Sequence, residues 1–121
     1  MLNFFKKTKK KEPESLKEVL ECLKRLEKSF QNRAREFEEF KKESRKTLQK
    51  VGVVRFNPFK EMGGDQSFSI AALNADNDGF VITSHYGRDS NRVYAKPIIQ
   101  GESKYQLSKE EKEAVEKAIG S

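Results

Sequence analysis

The spacing of apolar residues changes near residue 51, and this change limits the chain to a helix followed by a sheet. Before residue 51, apolar residues recur about every three to four positions, which is the period of an amphipathic α-helix. After it, they alternate about every second position, as in strands that bury one face. Turn sequences divide this second part into four segments. The sequence therefore predicts an α+β fold.

The first helix is predicted to begin at a capping box and to continue without a break. Ser15, followed three residues later by Glu18, is typical of a helix N-terminus. Neither glycine nor proline follows before Gly52, so we expect a long amphipathic helix over residues 15–50, roughly 50 Å in length. Its apolar stripe consists of Leu16, Val19, Leu23, Leu26, Phe30, Phe37 and Phe40.

Two interpretations of this stripe are open: a coiled-coil seam between two chains, or a surface that lies on the chain's own β domain. Beyond Arg33 the heptad pattern weakens, and phenylalanine packs poorly in a two-stranded seam. We therefore expect the second half of the helix to cover the sheet and the first half to form a homo-oligomer. The residues predicted for self-association are Leu16, Val19, Leu23, Leu26 and Phe30.

Four strands and a short C-terminal helix are predicted after the first helix. The strands cover residues 51–56, 67–73, 80–86 and 92–99, and the short connections between them favour a four-stranded antiparallel β meander. Asn77-Asp78-Gly79 is a hairpin signal, since Asp-Gly supplies the positive φ angles that tight turns require. A second capping box, Ser108 with Glu111, begins the last helix.

The chain thus divides into a flexible basic tail (1–14), the long helix (15–50) and a small β domain with its C-terminal helix (51–121). A domain of about 70 residues buries little core and is marginally stable alone. We therefore expect the first helix to shield the sheet, within one chain or from a second one.

Positive charge is concentrated at the start of the chain. Residues 1–11 contain lysines but no acidic residue, whereas residues 51–107 are balanced, and the whole chain carries +6. We favour a solubilising tail; the alternative is peripheral contact with the inner membrane surface, through apolar insertion and attraction to anionic lipid. The residues for such contact are Leu2, Phe4, Phe5, Lys6, Lys7, Lys9, Lys10 and Lys11. Because lysines follow the apolar residues and no long apolar run occurs, we expect neither a signal peptide nor a membrane span, and a cytoplasmic location.

A cationic and aromatic stripe is predicted on the fourth strand. Arg92, Tyr94 and Lys96 alternate and so share one face, and Arg88 in the preceding turn can join them. Such a stripe suits an anionic ligand or a nucleic acid. The alternative, which we favour, is an ordinary solvent-facing side of an antiparallel sheet.

No catalytic or metal-binding pattern is apparent in the sequence. With His85 as the single histidine and Cys22 as the single cysteine, the usual zinc sites and an intramolecular disulfide are not expected. We interpret Cys22 as a small apolar residue beside the helix stripe. We predict no cofactor, no small-molecule substrate and no enzymatic activity.

Several ordered segments resemble a bacterial family, the domain-of-unknown-function family 4446. They are Val51-Gly-Val-Val-Arg-Phe-Asn-Pro-Phe59, Gly63-Gly-Asp-Gln-Ser-Phe68, Asp78-Gly-Phe-Val-Ile-Thr-Ser84, Arg92-Val-Tyr-Ala-Lys-Pro97 and Tyr105-Gln-Leu-Ser-Lys-Glu-Glu111. The resemblance covers roughly residues 45–119. It implies a bacterial protein without an assigned reaction. Members often begin with a membrane helix; this chain departs from that pattern and has only the short apolar and lysine-rich start, so membrane attachment is either lost or replaced by weak surface binding.

These observations favour a non-enzymatic, self-associating module that binds another protein. The alternative is a module that binds nucleic acid or an anionic ligand through the fourth strand.

Overall fold

The predicted α+β architecture is confirmed by the computed structural model, which describes residues 15–58 and 66–121. A long helix, a four-stranded antiparallel sheet and a short helix follow one another along the chain. Contacts divide the chain into two compact units, Met1–Lys41 and Lys42–Ser121.

Helix α1 spans Leu16–Ser44. At its start the amide of Glu18 donates to Ser15 Oγ at 3.3 Å, as the capping box predicts. The helix ends earlier than the expected residue 50. Thr47 Oγ1 and Gln49 Nε2 donate to the carbonyl of Ser44 at 2.7 and 2.9 Å, so side chains satisfy a carbonyl that another helical turn would use.

The sheet is a meander in which the strands lie side by side in chain order. The strands are β1 (Lys50–Phe56), β2 (Ser67–Leu73), β3 (Gly79–Tyr86) and β4 (Asn91–Ile98). Each begins and ends within one residue of its predicted position. Gly52 pairs with Ala71, Ala71 with Val81 and Val81 with Lys96, so these residues share one face of the sheet.

The hairpin between β2 and β3 uses a different residue from the predicted one for its positive φ. Asn77 takes φ 63°, whereas Gly79 already belongs to β3. The side-chain oxygen of Asn74 accepts the amides of Asp76 and Asp78 at 2.9 and 3.0 Å, which closes the turn. Gly79 is needed for another reason: a Cβ there would overlap the carbonyl of Ala72.

Helix α2 (Lys109–Ile119) packs over one face of the sheet, mainly on β1 and β2. We name this side the covered face and the other side the open face. The Ser108–Glu111 capping box is present in full. At Gly52 a Cβ would overlap the carbonyl of Ala114 and lie 2.6 Å from the amide nitrogen of Ala118, so glycine allows the close approach of α2. The buried apolar core consists of Val54, Ala71, Leu73, Val81, Ile98, Ala114, Val115 and Ala118.

Candidate functional site

The first candidate surface is the apolar stripe of α1, where the predicted self-association residues lie. Leu16, Val19, Leu23, Leu26 and Phe30 are all exposed. The helix contains no buried residue, and Cys22 beside the stripe is partly exposed. Leu20, half exposed on the same side, extends the stripe and was missing from the predicted set. A helix with this pattern has a continuous apolar surface along one side.

The second half of α1, residues 34–44, carries two exposed phenylalanines, and we name it the phenylalanine half. Phe37 and Phe40 are 60% and 68% exposed. The ammonium of Lys41 lies 5.6 Å from the centre of the Phe37 ring, within cation–π range. That this half covers the sheet stays a prediction.

The second candidate surface is the open face of the sheet. Alternation and register place these residues on it: Val51, Val53, Arg55, Phe68, Ile70, Ala72, Phe80, Ile82, Ser84, Tyr86, Asn91, Val93, Ala95 and Pro97. Arg55 is its one charged residue among the described strands. Val51, Val53 and Val93 are about half to two thirds exposed. An apolar sheet face of this extent is typical of a surface that another element covers.

The two faces of the sheet differ in the size of their side chains. On β2 the covered face carries Ser67, Ser69 and Ala71 along with Leu73, whereas the open face carries Phe68, Ile70 and Ala72. The small side chains let α2 approach closely. The larger side chains, including Phe80 and Ile82 on β3, stand on the side to which α2 contributes nothing.

The predicted stripe of β4 lies on the covered face. The register pairs Tyr94 with Thr83 and Arg92 with His85, and Lys96 follows on the same side. Arg92 and Tyr94 are nevertheless exposed, because α2 packs mainly on β1 and β2. Arg88 is exposed in the turn between β3 and β4. Apart from Lys96, the stripe is therefore an exposed part of a face whose other half is buried.

Lys96 differs from the rest of the stripe because its ammonium is bound within the fold. Its Nζ donates to Glu111 Oε1 and to the carbonyl of Gln106, both at 2.8 Å. Two of its three N–H groups are thus used. The pair joins β4 to α2, so Lys96 has a structural role that the strand pattern alone does not reveal.

Glu111 is the centre of a buried polar network. Its other oxygen accepts from Thr83 Oγ1 at 3.0 Å, and Thr83 Oγ1 lies 2.7 Å from Ser69 Oγ. Because the Thr83 hydrogen is donated to Glu111, Ser69 is the donor to Thr83. Burial alone raises the pKa of Glu111, but bonds from Lys96, the Ser108 amide and Thr83, with the charge of Lys96, hold that pKa below its ordinary value. The network fastens α2 to the sheet.

An aromatic row, not predicted as a group, lies beside the exposed part of the stripe. The rings of Phe56 and Tyr94 stand edge-on to His85, with centroids at 5.6 and 6.0 Å. The three residues come from three different strands, β1, β3 and β4, and Arg92 is the cross-strand neighbour of His85. Only the strand register brings them together. Phe56 and His85 are partly buried, so Tyr94, which is exposed together with Arg92, is the ring of this row that can contact an anion or a base.

The predicted membrane-contact residues, Leu2 through Lys11, lie outside the described residues, as do Gly63 and Asp65. Within residues 15–58 and 66–121, no helix is both long enough and apolar enough to pass through a lipid bilayer. The same residues hold no cluster of three side chains suited to binding a metal ion.

Comparison with known proteins identifies one family model. Its description is "Protein of unknown function (DUF4446)", and it matches residues 1–119. The match confirms the resemblance over residues 45–119 and extends it to the first residue. No curated protein and no solved structure gives a significant match to the chain.

Proposed function

We propose that this chain, which belongs to the DUF4446 family of proteins of unknown function, is a non-enzymatic, self-associating protein-interaction module. The observation that carries the proposal is the apolar stripe of α1, a helix of 29 residues that buries none of them. The proposal includes a second protein partner and a cytoplasmic location, with the basic start of the chain at the inner membrane surface as a further element.

The physical argument is the free energy of apolar surface in water. Burying a leucine or phenylalanine side chain that is otherwise exposed contributes about 1.5–3 kcal/mol. Leu16, Leu23, Leu26 and Phe30 are each more than half exposed. They recur at helical spacing, so one partner helix can bury all of them in a single seam.

The polar groups of the β domain support the non-enzymatic part of the proposal. Ser69, Thr83 and Glu111 are the kinds of side chain that carry acid–base or nucleophilic chemistry. In this fold they are buried and bonded to one another, and Glu111 also binds Lys96. Their arrangement serves the attachment of α2 and offers no reacting group to solvent.

Sedimentation velocity tests the proposed self-association. The intact chain is expected to sediment as an oligomer, and Leu23→Lys/Leu26→Lys to sediment as a monomer, because two charges enter the seam. Gln31→Lys/Asn32→Lys adds the same charge away from the stripe and should retain the oligomer. A monomeric parent chain, or equal behaviour of the two variants, would refute the proposal.

The second candidate function is binding of nucleic acid or an anionic ligand through the exposed part of the β4 stripe. It is favoured by the exposure of Arg88, Arg92 and Tyr94. The ammonium of Lys96 is bound to Glu111. The third contact to a ligand, predicted for Lys96, is therefore assigned to the aromatic row. Fluorescence anisotropy with labelled single-stranded DNA tests it: binding should weaken steeply with salt and fall in Arg88→Ala/Arg92→Ala. Binding that is absent, or unchanged in the variant, would exclude this function.

A further inference from the structure

We infer that the open face of the sheet is a docking surface for the phenylalanine half of α1 from a second copy of this chain. The inference rests on the self-association proposed above and names its second contact. The partner is thus chemically defined: an amphipathic helix that presents Phe37 and Phe40.

The side chains on the two faces of the sheet indicate that a partner would pack on the open face. On the covered face, glycine, serine and alanine side chains let α2 lie close to the strands. The larger apolar side chains, such as Phe68, Ile70, Phe80 and Ile82, belong to the open face. Helix-on-sheet packing is a standard way to bury such a face, and no further helix occurs in the described part of Lys42–Ser121.

The phenylalanine half fits this face in size and polarity. Residues 34–44 extend over about 15 Å of helix, and four strands at their usual spacing are about 14 Å wide. Phe37 and Phe40, about two thirds exposed, supply on the order of 200–330 Å² of aromatic surface. The open face that receives these rings buries a similar area, and the seam between the first halves of the two helices adds more. In a reciprocal exchange the total area buried approaches the roughly 800 Å² per partner of a stable interface.

A second copy can cover both apolar surfaces, because every copy has one α1 helix and one open sheet face. An exchange about a two-fold axis closes on itself and leaves neither surface in water.

Photo-cross-linking of the full chain tests the inference. Phe37→p-benzoylphenylalanine retains an aromatic ring at the stripe. Chains with natural and ¹⁵N isotope content are mixed, unfolded and refolded together, irradiated and mapped by mass spectrometry. We expect cross-links from position 37 to open-face residues such as Val53 and Ile70, in pairs of mixed isotope content. The same group at Asn32, on the opposite side of α1, should give only background.

The outcomes separate this inference from the proposed function. Sheet cross-links found only between chains of like isotope content would show that α1 covers its own sheet and would overturn the second-copy assignment. An oligomer in sedimentation without any cross-link to the sheet would overturn the docking surface while self-association stands. A monomer in sedimentation would overturn both.

Discussion

The ammonium of Lys96 on β4 lies 2.8 Å from a carboxylate oxygen of Glu111 on α2, with side chains 23% and 2% exposed. The other described ion pairs lie in solvent, each with both side chains about half exposed or more. This pair therefore ties the last strand to the helix that packs over the first two, and it makes Glu111 the most informative position in the β domain for stability measurements.

Glu111→Gln is expected to lower the free energy of unfolding by about 1–3 kcal/mol. The amide keeps the volume of the carboxylate but leaves the ammonium of Lys96 without its counter-charge. The loss is smaller than for a fully buried pair because Lys96 is partly exposed. Urea denaturation measures it. Glu113→Gln, on the exposed side of α2, is the matched control and should change stability by less than about 0.5 kcal/mol.

The stability of the β domain should depend on pH through Glu111. Its pKa is lower in the folded chain than in the unfolded chain, so folding favours the charged form. The contribution is present at neutral pH and is lost as pH falls through the folded-state pKa. Urea midpoints between about pH 7 and pH 3 should therefore fall more steeply for the parent chain than for Glu111→Gln. Parallel curves would show that Glu111 does not contribute in this way.

Gly52→Ala is expected to cost more stability than Gly120→Ala. The added methyl group would overlap the carbonyl of Ala114, so α2 must move away from β1. Overpacking of this kind costs roughly 1–3 kcal/mol, which thermal denaturation detects. Gly120→Ala is the control: its Cβ would lie 3.5 Å from the nearest atom, at φ −80°, and should have little effect. Equal effects would mean that the close approach is unimportant.

The basic start of the chain provides a test of membrane contact. If residues 1–11 contact anionic lipid, the intact chain should float with vesicles rich in phosphatidylserine, and a chain lacking these residues should not. Each lysine near such a surface contributes on the order of 1 kcal/mol. Neutral phosphatidylcholine vesicles are the control. Equal flotation of the two chains would assign the segment a solubilising role only.

Removal of α1 should lower the stability of the β domain if α1 covers the open face of the sheet. A chain that begins at residue 45 retains the sheet and α2, but we expect it to melt at a lower temperature than the full chain. It should also bind a hydrophobic dye such as ANS more strongly, because the exposed valines and the partly exposed larger side chains of the open face stay uncovered. Cooperative melting at the temperature of the full chain would contradict the idea that α1 shields the sheet.

The strands and the last helix were predictable because each has a local signal. Alternation at Ser67–Leu73 and the Ser108–Glu111 capping box require no knowledge of distant residues, and both are present as predicted. The first helix was predicted too long because its end depends on Thr47 and Gln49 reaching back to Ser44. The spacing of apolar residues does not indicate a side-chain hydrogen bond of that kind.

The candidate sites could be predicted only in part, because the exposure of their residues depends on which face α2 covers. Both faces of β2 carry apolar residues, and the close approach at Gly52 shows that α2 covers the face with the smaller side chains. The capping box places Glu111 at the helix start, but its bond to Lys96 joins residues that are 15 positions apart. The row of Phe56, His85 and Tyr94 likewise exists only through the strand register.

The off-centre position of α2 has a consequence for how this domain can diverge. Since α2 packs mainly on β1 and β2, substitutions there must respect its shape, whereas Arg92 and Val93 on β4 are exposed. New side chains at these two positions cost little stability. The exposed positions of β4 can therefore change while Lys96 and Ile98 on the same strand are retained, and relatives that bind different molecules should differ first at those exposed positions.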